Sequence, residues 1–286
     1  MKNYFMRFPE GRTKAVTLSY DDGCRADLRL AETINKYGLK CTFNINSSLM
    51  GSNTQDWHLT KEEIAEHLLG TGHEIAVHGA LHKAPGMTTI IDGIRDALDG
   101  RIGLERAFGG IIKGMAYPNS GIRIFDNGAT YNDVKNYLIE LGIAYARSLG
   151  GDNDCFLMPE DWYNWIPTAH HNNPKIMEYI DEFLKIDVNS EYAGARRPRI
   201  FYMWGHAYEF DRNDNWEHLT EICEKLSGND DIWYATNIEI YNYTKAYRSL
   251  EFNVDRTVVY NPTLHTVWFH ADGKDYCIKS GATLNI

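Results

Sequence analysis

Paired cysteines, long apolar runs, surplus positive charge and phosphate-binding glycine motifs are all missing from this 286-residue chain. The five cysteines (Cys24, Cys41, Cys155, Cys223 and Cys277) are odd in number, scattered and never spaced C-x-x-C. That argues against a disulfide framework and for a reducing compartment. Met1 to Pro9 lacks the apolar core of a signal peptide, and no later segment is apolar over the length of a bilayer span. A cytoplasmic location with no membrane partner is therefore the expectation. The formal net charge is −10, and the densest basic run is only Arg196-Arg197-Pro198-Arg199. Too few cations are present to neutralise phosphates in number, so no nucleic-acid partner is expected. There is also no G-x-G-x-x-G, no P-loop, no internal repeat and no low-complexity tract, which removes dinucleotide folds and solenoids from consideration.

What is present is ordinary globular composition, 43% hydrophobic and 24% charged, in a chain long enough for one large core. Seven Trp and eighteen Tyr supply that core and also suit stacking on sugar rings. From about residue 14 to 250, short β-type runs alternate with amphipathic helical ones. The expected strands are Lys14–Tyr20, Lys40–Ile45, Glu74–Val77, Ile111–Tyr117, Ile143–Arg147, Arg199–Trp204 and Asp231–Thr236. Ala26 to Tyr37 places Leu30, Ile34 and Tyr37 on one helical face and stops at Gly38. Thr60-Lys61-Glu62-Glu63 reads as a capping box whose helix closes at Gly70. Further helices are expected over 89–107, 131–141, 174–186, 216–226 and 238–250.

Successive β-then-α units imply parallel strands, and the placement of polar residues selects a barrel over an open sheet. Asp21 and Asp22 follow the first strand, His78 the third and Tyr117-Pro118-Asn119 the fourth, while Arg147 ends the fifth and His206 follows the sixth. Barrels gather chemistry at the carboxyl ends of many strands, whereas open sheets concentrate it at one switch point. The expected fold is thus α/β, a distorted, incomplete (β/α)7 barrel over residues 1–250. Residues 251–286 alternate differently, with Asp272-Gly273 as a hairpin signal, and are expected to form a small C-terminal antiparallel β appendage.

The densest chemistry lies in Ser19-Tyr20-Asp21-Asp22-Gly23 and His78-Gly79-Ala80-Leu81-His82, each following an apolar run. Two histidines and a carboxylate are the ligands of a hydrolytic zinc site, with one position left open. With these residues placed, the sequence resembles the polysaccharide deacetylase family (carbohydrate esterase family 4) over about residues 14–245. The family's Thr-Phe-Asp-Asp-Gly is similar to Ser19 to Gly23, and its His-Ser/Thr-x-x-His to His78 to His82, with Gly79 at the hydroxyl position. Tyr117-Pro118-Asn119-Ser120-Gly121, Asp161-Trp162 and Met203-Trp204-Gly205-His206 resemble the later motifs. Two departures stand out. Ala116 occupies the place of the Arg that orients the catalytic Asp, and Met158 that of the acid that tunes the late His.

The resemblance implies Asp22, His78 and His82 as ligands of a divalent metal. Zinc is the default for such a set, and iron, cobalt or nickel also suit it. It implies Asp21 as general base toward the attacking water and His206 as general acid toward the leaving nitrogen. Tyr117, Asn119, Asp161 and Trp162 are the expected substrate and oxyanion residues, the Asn119 N–H acting as oxyanion donor, with Trp162 and Trp165 walling an acyl pocket or a sugar subsite. Arg147 is a candidate for the missing orienting Arg, and Glu160, Asp161 or Glu209 for the missing acid. Cys24 reads as a small buried hydrophobe, and His170-His171 as a solvated loop. The implied activity is removal of an N-acetyl group from an amino-sugar-containing carbohydrate. The rivals are hydrolysis of small cyclic amides or ureides on the same fold, and a non-catalytic carbohydrate binder. Four intact polar residues, Asp21, Asp22, His78 and His82, argue against the binder.

Overall fold

Strand β2 (Lys14–Asp21) is buried at every position, as befits a strand covered on both faces. Period-two alternation sends Val16, Leu18 and Tyr20 outward into the core under the helices, and Thr17, Ser19 and Asp21 the other way. The inward set is polar yet buried, so the barrel interior must be hydrogen-bonded to be tolerated. The structure is a computed structural model that describes residues 3–52, 57–192 and 195–286.

Strand β1 (Tyr4–Arg7) precedes β2. After β2 come α1 (Ala26–Lys36), β3 (Cys41–Ile45), the short α2 (Lys61–Glu63), β4 (Glu74–Val77), α3 (Ile90–Phe108), β5 (Gly114–Ala116), α4 (Tyr131–Glu140) and β6 (Tyr145–Arg147). Then follow β7 (Ala169–His170), α5 (Ile176–Lys185), β8 (Arg199–Gly205), α6 (Tyr208–Arg212), α7 (Trp216–Leu226), β9 (Ile232–Tyr234) and α8 (Asn237–Arg248). The expected capping box is present: the Thr60 side chain accepts from the Glu63 N–H, and Glu63 accepts from the Thr60 N–H.

The strands of the main sheet neighbour one another in the order β6-β5-β4-β3-β2-β8-β7. Every pairing is parallel, and a parallel bridge between Arg147 and Trp165 joins β6 to the segment entering β7. The sheet therefore curls into the distorted barrel expected. Its distortion has a clear origin. β8 runs the length of one edge of β2, while the other edge is shared by β9 at Lys14–Val16 and β3 at Leu18–Asp21. The stretch expected as the seventh strand is thus this wedge, β9. A further strand, β7, lies where a loop was expected, because two residues are too few to show periodicity.

Hydrogen bonds link the buried interior from end to end. Glu74 accepts from Thr42 (2.7 Å), Tyr145 (2.7 Å) and the Ile238 N–H (2.9 Å). Thr17 donates to Asn237 (2.8 Å), and Asn237 to Tyr202 (2.6 Å). Asn44 donates to Ser19 and to Asp21, both at 2.8 Å. The amino end of the barrel is closed by a second apolar cluster containing Phe8, Ala15, Ile200, Ile240 and Tyr243. Two small antiparallel sheets lie beyond it, one of β10 (Glu251–Phe252), β11 (Val258–Tyr260) and β14 (Thr283–Asn285). The other joins β12 (Val267–Ala271) and β13 (Lys274–Ile278) to the N-terminal strand β1, a pairing absent from the sequence reading. Asp272 (φ 49°) and Gly273 (φ 81°) form the expected hairpin turn. No helix among the described residues is long and apolar enough to cross a membrane.

Candidate active site

At the carboxyl end of β2, Asp21 is 2% exposed and points into the barrel mouth. Asn44 donates to its Oδ1, and the Arg147 guanidinium reaches its Oδ2 at 2.5 Å. Arg147, itself 1% exposed, comes from the end of β6 and lies 4.5 Å above the Trp204 ring. A cation from the strand next to Ala116 thus meets Asp21, while Ala116 itself offers its carbonyl to His78. Asp22 would fall on the opposite face by simple alternation. Its φ of 83° turns it back to the mouth, a left-handed conformation costing on the order of 1–3 kcal/mol.

The Asp22 Oδ1 lies 3.5 Å from His78 Nε2 and 3.2 Å from His82 Nε2. His78 is buried, and its Nδ1 contacts the Ala116 carbonyl at 2.9 Å. A carbonyl only accepts, so Nδ1 carries the proton and Nε2 offers its lone pair toward Asp22. Burial holds the His78 pKa below its ordinary value, against the pull of Asp21 and Asp22. For Asp22, burial pushes the carboxyl up, but the His82 hydrogen bond and the imidazoles of His78 and His206 outweigh it and bring the pKa to about 2. One donor atom from each of Asp22, His78 and His82 lies within 4.8 Å of the others. Two imidazoles and an ionised carboxylate at that spacing fit a divalent cation.

The loop bearing the two histidines is tied to α3. The Asp96 carboxylate accepts from the Leu81 N–H at 2.7 Å. A Cβ at Gly79 would sit 2.1 Å from that carboxylate, and Gly79 has φ +72°. Glycine therefore replaces the family's hydroxyl residue for a steric reason. Asn119 (φ 52°) donates its side-chain amide to the His82 carbonyl at 2.8 Å and contacts His82 Nδ1 at 3.1 Å. A polar groove of about 850 Å3 continues from His82 and Asn119 past Lys83, Thr88, Asp92 and Arg95 at the start of α3.

His206 faces this cluster from the end of β8, its Nε2 3.9 Å from Asp21 and 4.0 Å from Asp22. Its Nδ1 is 3.5 Å from Glu209 Oε1. Burial lowers the His206 pKa, but Glu209, Asp21 and Asp22 together hold it above the ordinary histidine value. Of the three acids named as replacements at the late histidine, Glu209 is the one placed there. Its Oε2 is 3.0 Å from His170 Nε2 and 3.2 Å from His171 Nε2. The Asn172 N–H donates to His170 Nδ1 at 3.1 Å. His170 Nε2 therefore carries the proton toward Glu209, an arrangement for a hydrogen-bonded clamp and not for metal ligation. Burial opposes ionisation of Glu209, yet His170 and His206 hold its pKa well below the carboxylate range. His171, far from a solvated loop, is 0% exposed. Its ring packs between Tyr20 (5.7 Å) and Phe210 (4.2 Å). Burial, with His170 alongside, takes its pKa to about 3. A Cβ at Gly205 would meet His171 Nδ1 at 1.9 Å, so the glycine before His206 makes room for this ring.

Three of the expected residues lie elsewhere. The Tyr117 side chain is buried and donates to the Tyr163 carbonyl at 2.9 Å. The Asp161 carboxylate accepts from Lys135 and Tyr131, both at 2.7 Å, and from the Tyr163 N–H at 2.9 Å. Trp162 packs edge-on against Trp165 (4.8 Å) and Tyr241 (5.0 Å) in the apolar cluster at the amino end of the barrel. That end is opposite the mouth, so Asp161 and Trp162 hold the β6–β7 connection and Trp165 is core. Cys24 is buried, as expected. Sequence reasoning missed Asn44, for which a polar residue within an apolar strand was the available signal; it named Glu209 among three acids but missed that His170 and His171 close on it.

A parallel barrel with a His-His-carboxylate cluster and a carboxylate–arginine pair at its carboxyl end has the design of a hydrolase. A family model described as polysaccharide deacetylase matches residues 9–146. That segment belongs to the polysaccharide deacetylase family and carries Asp21, Asp22, His78 and His82. His206, which follows β8, and Glu209, in α6, lie beyond it. A Mycobacterium smegmatis protein described as a polysaccharide deacetylase superposes with a TM-score of 0.56 at 16% identity, over 84% of this chain and 93% of that one. The Xyl-CE4 domain of a multidomain xylanase from the hindgut metagenome of Trinervitermes trinervoides gives 0.52 at 16%, over 82% and 92%. Streptococcus pyogenes deacetylase PplD, in complex with acetate, is matched over only 55% of its length and 47% of this chain, at 15% identity and a TM-score of 0.41. At these identities the likeness concerns the fold. No curated protein matches the chain.

Proposed function

We propose that this chain is a divalent-metal-dependent deacetylase that hydrolyses the N-acetyl amide of an amino-sugar-containing carbohydrate. The observation that carries the reading is the convergence of Asp21, held by Arg147 and Asn44, with Asp22, His78, His82 and His206 at one barrel mouth. Asp22, His78 and His82 would hold the ion, zinc by default with cobalt, nickel or iron able to replace it. When bound there, such an ion lowers the pKa of a water and polarises the acetyl carbonyl. Asp21, oriented by Arg147 and Asn44, takes the proton from the attacking water. The water oxygen bonds to the acetyl carbon, and the Asn119 N–H donates to the oxygen on which charge develops. His206 gives its proton to the nitrogen as the carbon–nitrogen bond breaks, releasing acetate and the free amine. Glu209 lies on the Nδ1 side of His206, and Nε2 is the nitrogen that faces Asp21, Asp22 and the reaction. Residues 251–286 serve as an accessory that braces the closed end of the barrel.

The test is acetate release from N-acetylated oligosaccharides by metal-loaded protein, alongside Asp21→Asn. Stoichiometric acetate from the wild type, falling at least about 1,000-fold in the variant, is expected. Ring opening of cyclic amides with no acetate from any sugar would replace this reading with the cyclic-amide one. Neither activity would remove the catalytic reading.

A further inference from the structure

We infer that the ring bearing the acetamido group stacks on an aromatic ledge formed by Trp57 and Tyr208, which makes these two residues the determinants of sugar recognition. The inference rests on the deacetylase reading in one respect, the direction of the leaving nitrogen. That nitrogen must lie at His206, and the sugar carbon attached to it must lie on the same side, away from His82 and the polar groove.

On that side the Tyr208 ring is 5.3 Å from His206, and the Trp57 ring is 5.6 Å from Tyr208. Trp57 is 37% exposed and Tyr208 is half-buried. Trp204 also borders His206, at 5.9 Å, but Arg147 covers one face and His170 meets it edge-on at 4.6 Å. It is therefore occupied in positioning, whereas Trp57 presents surface to solvent. Burial of a large aromatic is the usual resting state; an exposed one beside reacting groups has a face free to take a partner.

Trp57 is held in place by backbone. Its carbonyl accepts from the Arg25 N–H at 2.9 Å, and the Leu59 N–H donates to the Gly23 carbonyl at 2.9 Å. Cys24 and His58 pair in an antiparallel bridge between those two bonds. The segment 57–59 is thus laced to the residues that follow Asp21-Asp22, which fixes the backbone that carries the indole. Tyr208 is two residues beyond His206 and opens α6, so its ring is set by the same strand end that sets the acid. A rigid ledge of amphipathic rings suits the C–H face of a pyranose, with the hydroxyls left to water.

The experiment measures binding separately from turnover. An N-acetylglucosamine trimer is titrated calorimetrically into metal-loaded Asp21→Asn protein, and into the same protein carrying Trp57→Ala, Tyr208→Leu, Trp57→Phe or Tyr208→Phe. Thermal midpoints establish that each variant is folded. Loss of either ring is expected to weaken binding about 5–10-fold, with recovery to within about twofold in the Phe variants. In the turnover-competent chain the same change should raise KM for the trimer more than it lowers kcat. Equal affinity in all variants, or no binding of the trimer to the parent, would overturn the ledge. Binding that tracks the rings in a wild type releasing no acetate would uphold the ledge and sink the deacetylase reading instead.

Discussion

Arg147 and Asp21 form an ion pair with side chains 1% and 3% exposed, and its replacement gives a sharp prediction. Substituting Arg147→Met keeps the stem but leaves Asp21 with Asn44 as its remaining side-chain donor. An uncompensated buried carboxylate costs about 3–5 kcal/mol of folding free energy. Unfolding entropy of roughly 2.1 cal/mol/K per residue, over 286 residues, makes about 4 kcal/mol equivalent to a fall of about 7 °C in Tm. The double variant Asp21→Asn, Arg147→Met removes both charges. Because Arg147 Nε and Nη1 have no hydrogen-bond partner among the described residues, the native pair is itself costly. The double variant should regain wild-type stability or exceed it by about 1–4 kcal/mol, while having no activity. The assay is calorimetric and chemical unfolding of all four proteins, read as a double-mutant cycle. A shift under about 2 °C for Arg147→Met, together with additive behaviour in the double, would refute the claim that this pair is desolvated.

Three further outcomes are expected. Metal-loaded wild type should lose on the order of 2.7 kcal/mol of apparent stability on chelation from a free-ion level about 100-fold above Kd, and a His78→Ala, His82→Ala variant should bind no equivalent and show no such loss. Burial raises the Glu74 pKa to about 7 despite its bonds to Ile238, Tyr145 and Thr42. The folded state therefore keeps a proton the unfolded chain has released, and this group subtracts stability as pH rises from about 4.5 to about 7, by roughly 3 kcal/mol in all. Unfolding of wild type and Glu74→Gln across that window should diverge accordingly, and parallel curves would refute it. Gly79→Ser, which restores the family's hydroxyl residue, should destabilise by about 1–3 kcal/mol and weaken metal binding. Its Cβ would meet the Asp96 carboxylate at a φ of +72°; calorimetry and metal analysis read both effects.

The sequence alone determined what is local. Apolar runs ending in Asp21-Asp22, His78 and His206 announced strands with polar residues at one end, and their number announced a barrel. Caps at Thr60 and the turn at Asp272-Gly273 were equally legible, since each depends on two to four neighbouring residues. Tertiary structure decided what depends on closure. Arg147 and Asp21 are 126 residues apart and meet only because the sheet curls through Trp165 and β7, an element too short to carry a period. Glu209, His170 and His171 converge for the same reason. The motif echo at Asp161-Trp162 failed to place those side chains at the mouth, because pattern does not say toward which end of a barrel a loop folds. The left-handed backbone at Asp22, His82 and Asn119 likewise shows in no propensity. Such strained conformations are held by long-range packing, and that packing turns a legible set of residues into a site.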